Sequence, residues 1–354
     1  MNDSILNTDN WLNRKGPEDH IAISSRARYA RNLPMLPFPL RARPEELRQV
    51  VETVGPAIRQ VPAFQNNLIF NLAEVPSAHR HFLKENHLIS SEMEKGGAHR
   101  VILLTGEADL AAMVNEEDHL RLFALEPGLQ LPTVLNNVME FESHLEQSLE
   151  FAFSPNYGFL TACPTNTGTG LRASVLLHLP ALAATRSLTE LARRLRENGL
   201  TIRGPYGENS EEFGELFQVS NEVTLGRNEE EIVTLLAQVV DSIIHDEESA
   251  RRQMYERAPA RTDDVIWRAW GLLTNARVLT AEEAVHSLSR LRIGVDRQYF
   301  KNLTHAALNR LLVDVQPGHV RVRLGDAASQ YERDEARATY VRERLLHPPA
   351  TTAE

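Results

Sequence analysis

The stretch Cys163–Ser174, CPTNTGTGLRAS, brings together hydroxyls, two glycines, the only cysteine of the chain and an arginine. Backbone N–H groups of a glycine-rich turn form a concave positive nest that suits an anion. The glycine-lysine-serine/threonine ending of a P-loop is missing, so no lysine reaches the terminal phosphates of a nucleotide. Arginine is the available cation. Arg26 and Arg28 in SSRAR lie two apart on an expected strand and leave its same face. Arg121 follows NEEDH, Arg172 closes the glycine-rich loop, and Arg203 opens RGPYGE. A guanidinium holds phosphate bidentately and never loses its charge. Only Lys15, Lys84, Lys95 and Lys301 among the 38 basic residues are lysine. A GC-rich genome explains that bias as well as a demand for phosphate forks does.

SSRAR, NEEDHLR, CPTNTGTGLRAS and RGPYGE, in this order and spacing, resemble the phosphagen kinases (arginine and creatine kinases), and within them the bacterial protein-arginine kinases. ENHLIS and LFQVSNEVTLG add weaker matches, and the resemblance runs from about residue 20 to the C-terminus. It implies ATP held by Ser24, Ser25, Arg26, Ala27 and Arg28, with His87 near the nucleoside. It adds Arg121, the run Arg172, Ala173, Ser174, Val175 and Leu176, and the turn Arg203, Gly204, Pro205, Tyr206, Gly207 and Glu208. Mg²⁺ is expected to bridge the β- and γ-phosphates and keep several waters. Phosphoryl transfer passes through a loose transition state, so catalysis is mostly positioning and charge stabilisation. The acceptor guanidinium titrates above about pH 12 and needs a carboxylate to align it and take its proton as the N–P bond forms. By the resemblance this is Glu117, with Glu208 as a second carboxylate and Cys163 as a thiol tuned by neighbouring arginines. For Glu116 and Asp118, local salt bridges or contacts in the Mg²⁺ shell stand beside a direct catalytic part. Tyr29, Asn86 and Pro205 depart from the family pattern without removing a catalytic group. His79, His81 and His87 show no cysteine or carboxylate pattern for zinc, and no metal site is expected in the protein itself.

The elements that must position these groups follow from periodicity. His20–Leu33 opens with strand alternation, a helix runs from about Pro44 to Ile58, and Val101–Leu104 is a short apolar strand before a Thr105-Gly106 turn. MEFESHLEQSLEFAF and SLTELARRLRENGL read as amphipathic helices, the second stopped by Gly199, and FQVSNEVTLG as a strand ending at Gly226. A long helix starts at a capping box, Asn228 to Glu231, and a second box stands at Thr280 and Glu283. Strands without a regular βαβ rhythm point to an α+β fold, a mainly antiparallel sheet with flanking helices, followed by an all-helical domain. The break falls near Pro259, giving a catalytic domain over 1–255 and a helical domain over 260–354.

Net charge is −10, which disfavours non-specific nucleic-acid or membrane binding. No apolar run reaches the roughly 18 residues of a membrane span. The first residues lack the marks of a signal peptide, and a lone cysteine forms no internal disulfide, so a cytoplasmic location is expected. Only 23 residues precede SSR, where classical phosphagen kinases carry a helical domain. An open site for arginine on a protein surface is the expectation, against a free-arginine kinase or a non-catalytic adaptor. RDEARA, Arg333–Ala338, resembles the RDxxRA motif of the protein-arginine kinases, which implies phosphoarginine binding by Arg333, Asp334 and Arg337. The resemblance further implies a zinc-binding activator of the McsA type, a Clp-type ATPase, a heat-shock repressor among the substrates, and a homodimer or higher oligomer.

Overall fold

The computed structural model describes residues 11–185, 187–205 and 214–347. An eight-stranded antiparallel sheet organises the first 220 or so residues. Its strands are β1 (Ala22–Arg31), β2 (Leu68–Asn71), β3 (Val101–Leu104), β4 (Leu110–Val114) and β5 (Leu120–Pro127), then β8 (Leu171–His178), β9 (Leu200–Arg203) and β10 (Leu216–Asn221). The spatial order is β2-β3-β4-β5-β1-β8-β10-β9, and a separate hairpin joins β6 (Phe153–Ser154) to β7 (Gly158–Phe159). Helices α1 (Pro44–Gln60), α2 (Ser77–Glu85), α3 (Ser91–Glu94), α4 (Leu131–Glu146), α5 (Pro180–Ala184), α6 (Leu188–Glu197) and α7 (Glu229–Arg257) intervene.

Each strand sends alternate residues to opposite faces. Ala27, Tyr29, Leu122, Ala173, Val175 and Val219 pack into one apolar core with Val54 of α1, Val138 of α4 and Val240 of α7. The opposite face carries the arginines. On its β3–β5 side it is covered by Phe82, Leu83 and Met93, and on its β8–β10 side Leu176 and Leu216 meet the helical domain. That domain comprises α8 (Pro259–Asn275), α9 (Ala281–Asp296), α10 (His305–Asp314), α11 (Pro317–Leu324) and α12 (Gln330–Leu346).

Both expected capping boxes form, Asn228 with Glu231 and Thr280 with Glu283, and Ser329 with Glu332 adds a third that opens α12. Two expectations change. The helix through MEFESHLEQSLEFAF stops at Glu146, because Ala152 donates to the carbonyl of Asn32 and Phe153 pairs with Phe159 in the hairpin. The strand expected to run to Gly226 ends at Asn221, whose side chain caps the ladder at Leu171 and Ala173. Among the described residues no helix is long and apolar enough to cross a membrane.

Candidate active site

Sheet register assembles the cationic face. Arg28 stands opposite Arg172 on β8 and Phe123 on β5; Arg26 stands opposite Ser174; Arg121 pairs with Ala30, and Arg203 with Gln218. Directly opposed residues share a face, so all five arginines leave the same side of the sheet, together with Ser24, Ser174 and Leu176. Ser25, Ala27, Ala173 and Val175 lie on the other face, so their side chains are not brought to the arginines. The Ser25 hydroxyl instead donates to Gly128 O (2.8 Å) and accepts from Gln130 N (2.8 Å), fixing the entry to α4.

These like charges are held in poor solvent. Arg26 sits over the Phe123 ring at 4.1 Å, and its pKa is lowered to about 10, first by burial and then by Arg121. Arg28 is pushed well below the usual arginine range by burial, then by Arg121, Arg26 and Arg172. Buried Nε–H groups of Arg26 and Arg121 have no hydrogen-bond partner among the described residues. Orphaned donors and mutual repulsion are relieved by a polyanion, which is what this face can hold.

The turn between β4 and β5 supplies the carboxylates. Arg121 reaches back to Glu116 (2.6 Å) and to the partly exposed Glu117 (2.5 Å). Glu116 also accepts from Ser90 Oγ (2.6 Å) and from the N–H of Glu117 (2.7 Å). Burial alone would raise its pKa, but Arg121, Ser90 and Arg28 outweigh it and hold the carboxyl below the ordinary range. Asp118 is fully buried and takes bonds from Asn32 Nδ2 (2.8 Å) and Ala162 N (2.7 Å). Glu116 and the Oδ1 of Asp118 are thus committed to local bonds, while Asp118 Oδ2 is buried with no hydrogen-bond partner among the described residues. His119 is fixed too: Nδ1 accepts from Leu33 N (3.0 Å), which leaves the proton on Nε2, 2.9 Å from Pro37 O.

The glycine-rich loop is pinned from several directions. Thr224 Oγ1 donates to Thr165 O (3.0 Å) and Thr167 O (2.8 Å). Arg31, buried and ion-paired with Glu142, donates to Thr169 O (2.9 Å). Gly170 has φ +67°, and a Cβ there would lie 2.5 Å from Arg31 Nη1, so the position requires glycine. Arg172 donates to Asn221 O (3.1 Å) and Asn166 Oδ1 (3.3 Å). Cys163 opens the loop half-exposed, its Sγ 3.0 Å from Thr165 Oγ1.

His87 takes a left-handed φ of +60° just after α2 and borders a hollow with Trp11, Ile23, Leu176, Pro205 and Leu312. Burial, then the charge of Arg26, lowers its pKa to about 4, so the ring is neutral. Arg203 and Gly204 follow from β9, with Arg203 3.4 Å from Glu222. Tyr206, Gly207 and Glu208 lie outside the described residues. Sequence reading missed Asn32, Ser90, Asn221 and Thr224, whose parts depend on partners far along the chain.

The C-terminal motif divides. Arg333 is on the surface, bonded to Ala328 O (2.6 Å) and Gln330 Oε1 (2.7 Å). Arg337 is 1% exposed and donates to Val315 O (2.6 Å), Leu279 O (2.8 Å) and the carboxylate of Asp334. It is a strut of the helical domain. His81, which the sequence left without carboxylates, stands between Glu85 (3.0 Å) and Glu94 (2.6 Å).

Residues 49–250 match the ATP:guanido phosphotransferase C-terminal catalytic domain, and residues 259–354 the protein-arginine kinase McsB C-terminal domain. The protein-arginine kinase of Moorella thermoacetica is 40% identical over 98% of this chain and 99% of its own, and that of Geobacillus stearothermophilus is 38% identical over 95% and 93%. The duplicated taurocyamine kinase from Schistosoma mansoni, solved with bound transition state analog components, aligns with TM-score 0.61 and 26% identity over 68% of this chain and 36% of that one. Lombricine kinase shares the fold at TM-score 0.57 and 24% identity, over 66% of this chain and 67% of its own. With both halves of the chain accounted for, the protein belongs to the ATP:guanido phosphotransferase family, in its protein-arginine kinase branch.

Proposed function

We propose that this protein transfers the γ-phosphoryl group of ATP to arginine side chains of other proteins. The observation that carries the reading is five arginines on one sheet face with Glu117 at their edge, held by Arg121. Arg26, Arg28, Arg121, Arg172 and Arg203 hold the phosphates and neutralise charge that builds on the equatorial oxygens. Glu117, with Glu208 as a second carboxylate, orients the acceptor guanidinium in line with the γ-phosphorus. As the N–P bond forms, the bond from phosphorus to the β-phosphate oxygen breaks, ADP leaves, and the guanidinium proton passes to Glu117. Cys163 lines the acceptor side.

Among the described residues no group of three or more His, Cys, Asp or Glu side chains could hold a metal ion, and Glu116 and Asp118 are already bonded. On this reading a magnesium ion would arrive with the nucleotide, held by its phosphates and waters. When bound it would supply charge neutralisation to the nucleotide phosphates; the arginines do the positioning. His87 and Pro205 border the nucleoside.

We further read Arg333 as a phosphoarginine contact, with the buried Asp334 and Arg337 supporting it from behind, that makes the enzyme responsive to its own product. Marking of proteins for a Clp-type protease, regulation of a heat-shock repressor, an McsA-like activator, dimer formation and a cytoplasmic location extend the same reading. The test is incubation with ATP, Mg²⁺ and a flexible protein, followed by phosphosite mass spectrometry in non-acidic conditions that keep N–P bonds. Labelled arginine on protein, with free L-arginine a much poorer acceptor, is the expected result. Efficient turnover of free arginine without labelled protein would favour a phosphagen kinase.

A further inference from the structure

A rim of exposed apolar side chains borders the loop that carries Cys163. Phe153 and Tyr157 of the β6–β7 hairpin are 57% and 58% exposed, and Leu160, Val223 and Leu225 are exposed beside them. Backbone contacts hold both segments against the catalytic loop at Gly168. The Phe153 and Phe159 rings meet edge-on at 5.3 Å, and Phe159 exchanges backbone hydrogen bonds with Gly168 (2.8 and 3.3 Å). On the same glycine, a Cβ would lie 3.0 Å from Leu225 Cα. Leu160 O accepts from Asn32 Nδ2 (3.0 Å), the amide that also bonds Asp118 beside Glu117. The rim therefore runs along the shell that positions the acceptor carboxylate. Contiguous apolar side chains left in water at the mouth of a site mark a binding surface.

We infer that this rim docks the polypeptide on either side of the acceptor arginine, and that it selects segments with apolar side chains within about three positions of it. The inference rests on the protein-arginine kinase reading and names its substrate class. An arginine reaching Glu117 leaves its own backbone at the mouth. Extended neighbours advance about 3.3 Å per residue, so the nearest few on each side fall on the rim. Its side chains are apolar although the whole chain carries a net charge of −10, so recognition there is by burial and not by charge. Such segments are presented by unfolded or flexible chains, since folded proteins bury them.

The test uses two peptides with one central arginine, flanked by leucine and phenylalanine in one and by serine in the other. Initial rates with ATP and Mg²⁺ are followed by mass spectrometry. The wild type is expected to favour the apolar peptide by about tenfold or more in kcat/KM, chiefly through KM. Phe153→Ser/Leu225→Ser should remove that preference while leaving kcat, the KM for ATP and the melting temperature unchanged. Equal use of both peptides by the wild type, or a preference that survives in the variant, overturns the inference. So does a variant whose oligomeric state alone changes, which would assign the rim to a contact between copies. Failure to phosphorylate either peptide or any protein overturns the underlying activity instead.

Discussion

At the scale of single residues, Glu117 and Arg121 hold each other at 2.5 Å. On the proposed reading, a nucleotide that took Arg121 would free this carboxylate for the acceptor and so tie acceptor binding to ATP binding. Glu117→Gln keeps the shape and removes the proton acceptor. Turnover should fall by about 10²–10⁴, the usual worth of a general base, with ATP affinity within about threefold. Arg172→Ala should harm both, because a charge-assisted bond to phosphate contributes about 1.5–3 kcal/mol. Calorimetric titration beside a rate assay separates the two variants, and an active Glu117→Gln enzyme would move the base elsewhere. Arg26 and Arg28 were legible as neighbours on one strand face from their two-residue spacing, whereas Arg121, Arg172 and Arg203 joined them only through the family resemblance. The split within SSRAR was legible only in part: Ser25 adjoins Arg26 in the chain, yet alternation turns it into the opposite core. Asn221 and Thr224 gave no local signal, since what they hold lies about 50 residues away.

At the scale of elements, α11 is docked by a carboxylate from another helix. Glu85 of α2 accepts from Gly318 N (2.7 Å) and His319 N (2.9 Å), the first free N–H groups of α11, and from His319 Nδ1 (2.7 Å). Burial would raise the pKa of Glu85, but His319, His81 and Gly318 outweigh it and bring it to about 2 from 4.5. A depressed carboxyl stabilises the fold above its unfolded pKa, and that contribution is lost as pH falls from 4.5 toward 2. His81 has the opposite sign. Its pKa is raised from 6.5, chiefly by the Glu85 hydrogen bond, so its contribution is full below 6.5 and is lost as pH rises through the folded value. Glu85 and His81 together favour docking of α11 between about pH 4.5 and 6.5. Buried His319, whose pKa is lowered from 6.5 chiefly by burial, loses its contribution as pH falls below 6.5, so docking is firmest toward the upper end of that range. Glu85→Ala should destabilise by about 3–5 kcal/mol, the usual result of stranding a buried charge network. Glu85→Gln should flatten the acid limb of a stability–pH curve measured by urea melts. An unchanged acid limb would show that the contact does not hold the helix. Neither Glu85 nor His319 stood out in the sequence, because helical periodicity says where a helix lies and not which residue elsewhere caps it.

At the scale of the molecule, the two halves share more than the sequence implied. The break expected near Pro259 falls where α7 ends at Arg257 and α8 begins at Pro259. One apolar cluster nevertheless joins Ile23, Leu176 and Leu216 of the sheet to Leu273, Leu288 and Leu312 of the helical domain. The C-terminal motif is part of that structure. Arg337→Ala should cost about 3–5 kcal/mol, since it leaves two carbonyls unpaired and strips the buried Asp334 carboxylate of its cation, with only Gln330 Nε2 (2.8 Å) still donating to it, whereas Arg333→Ala should leave stability nearly unchanged. Arg333→Ala is thus the cleaner probe. Its affinity for a phosphoarginine peptide should drop about tenfold or more with ATP binding intact, by calorimetry. Equal wild-type affinity for phosphorylated and unmodified peptides would leave the motif a purely structural one.

The joint between α7 and α8 is a single residue, Ala258. A hinge that short gives neither half a tether on which to melt alone, and the shared apolar cluster binds their fates thermodynamically. The shared cluster should therefore make the two halves melt in a single calorimetric transition, in which a ligand captured by either half would protect the other by mass action; two separate transitions would show that the halves melt independently. A ligand held by the helical half would thereby lengthen the survival of the catalytic sheet under heat and proteases, without any signal having to travel between them.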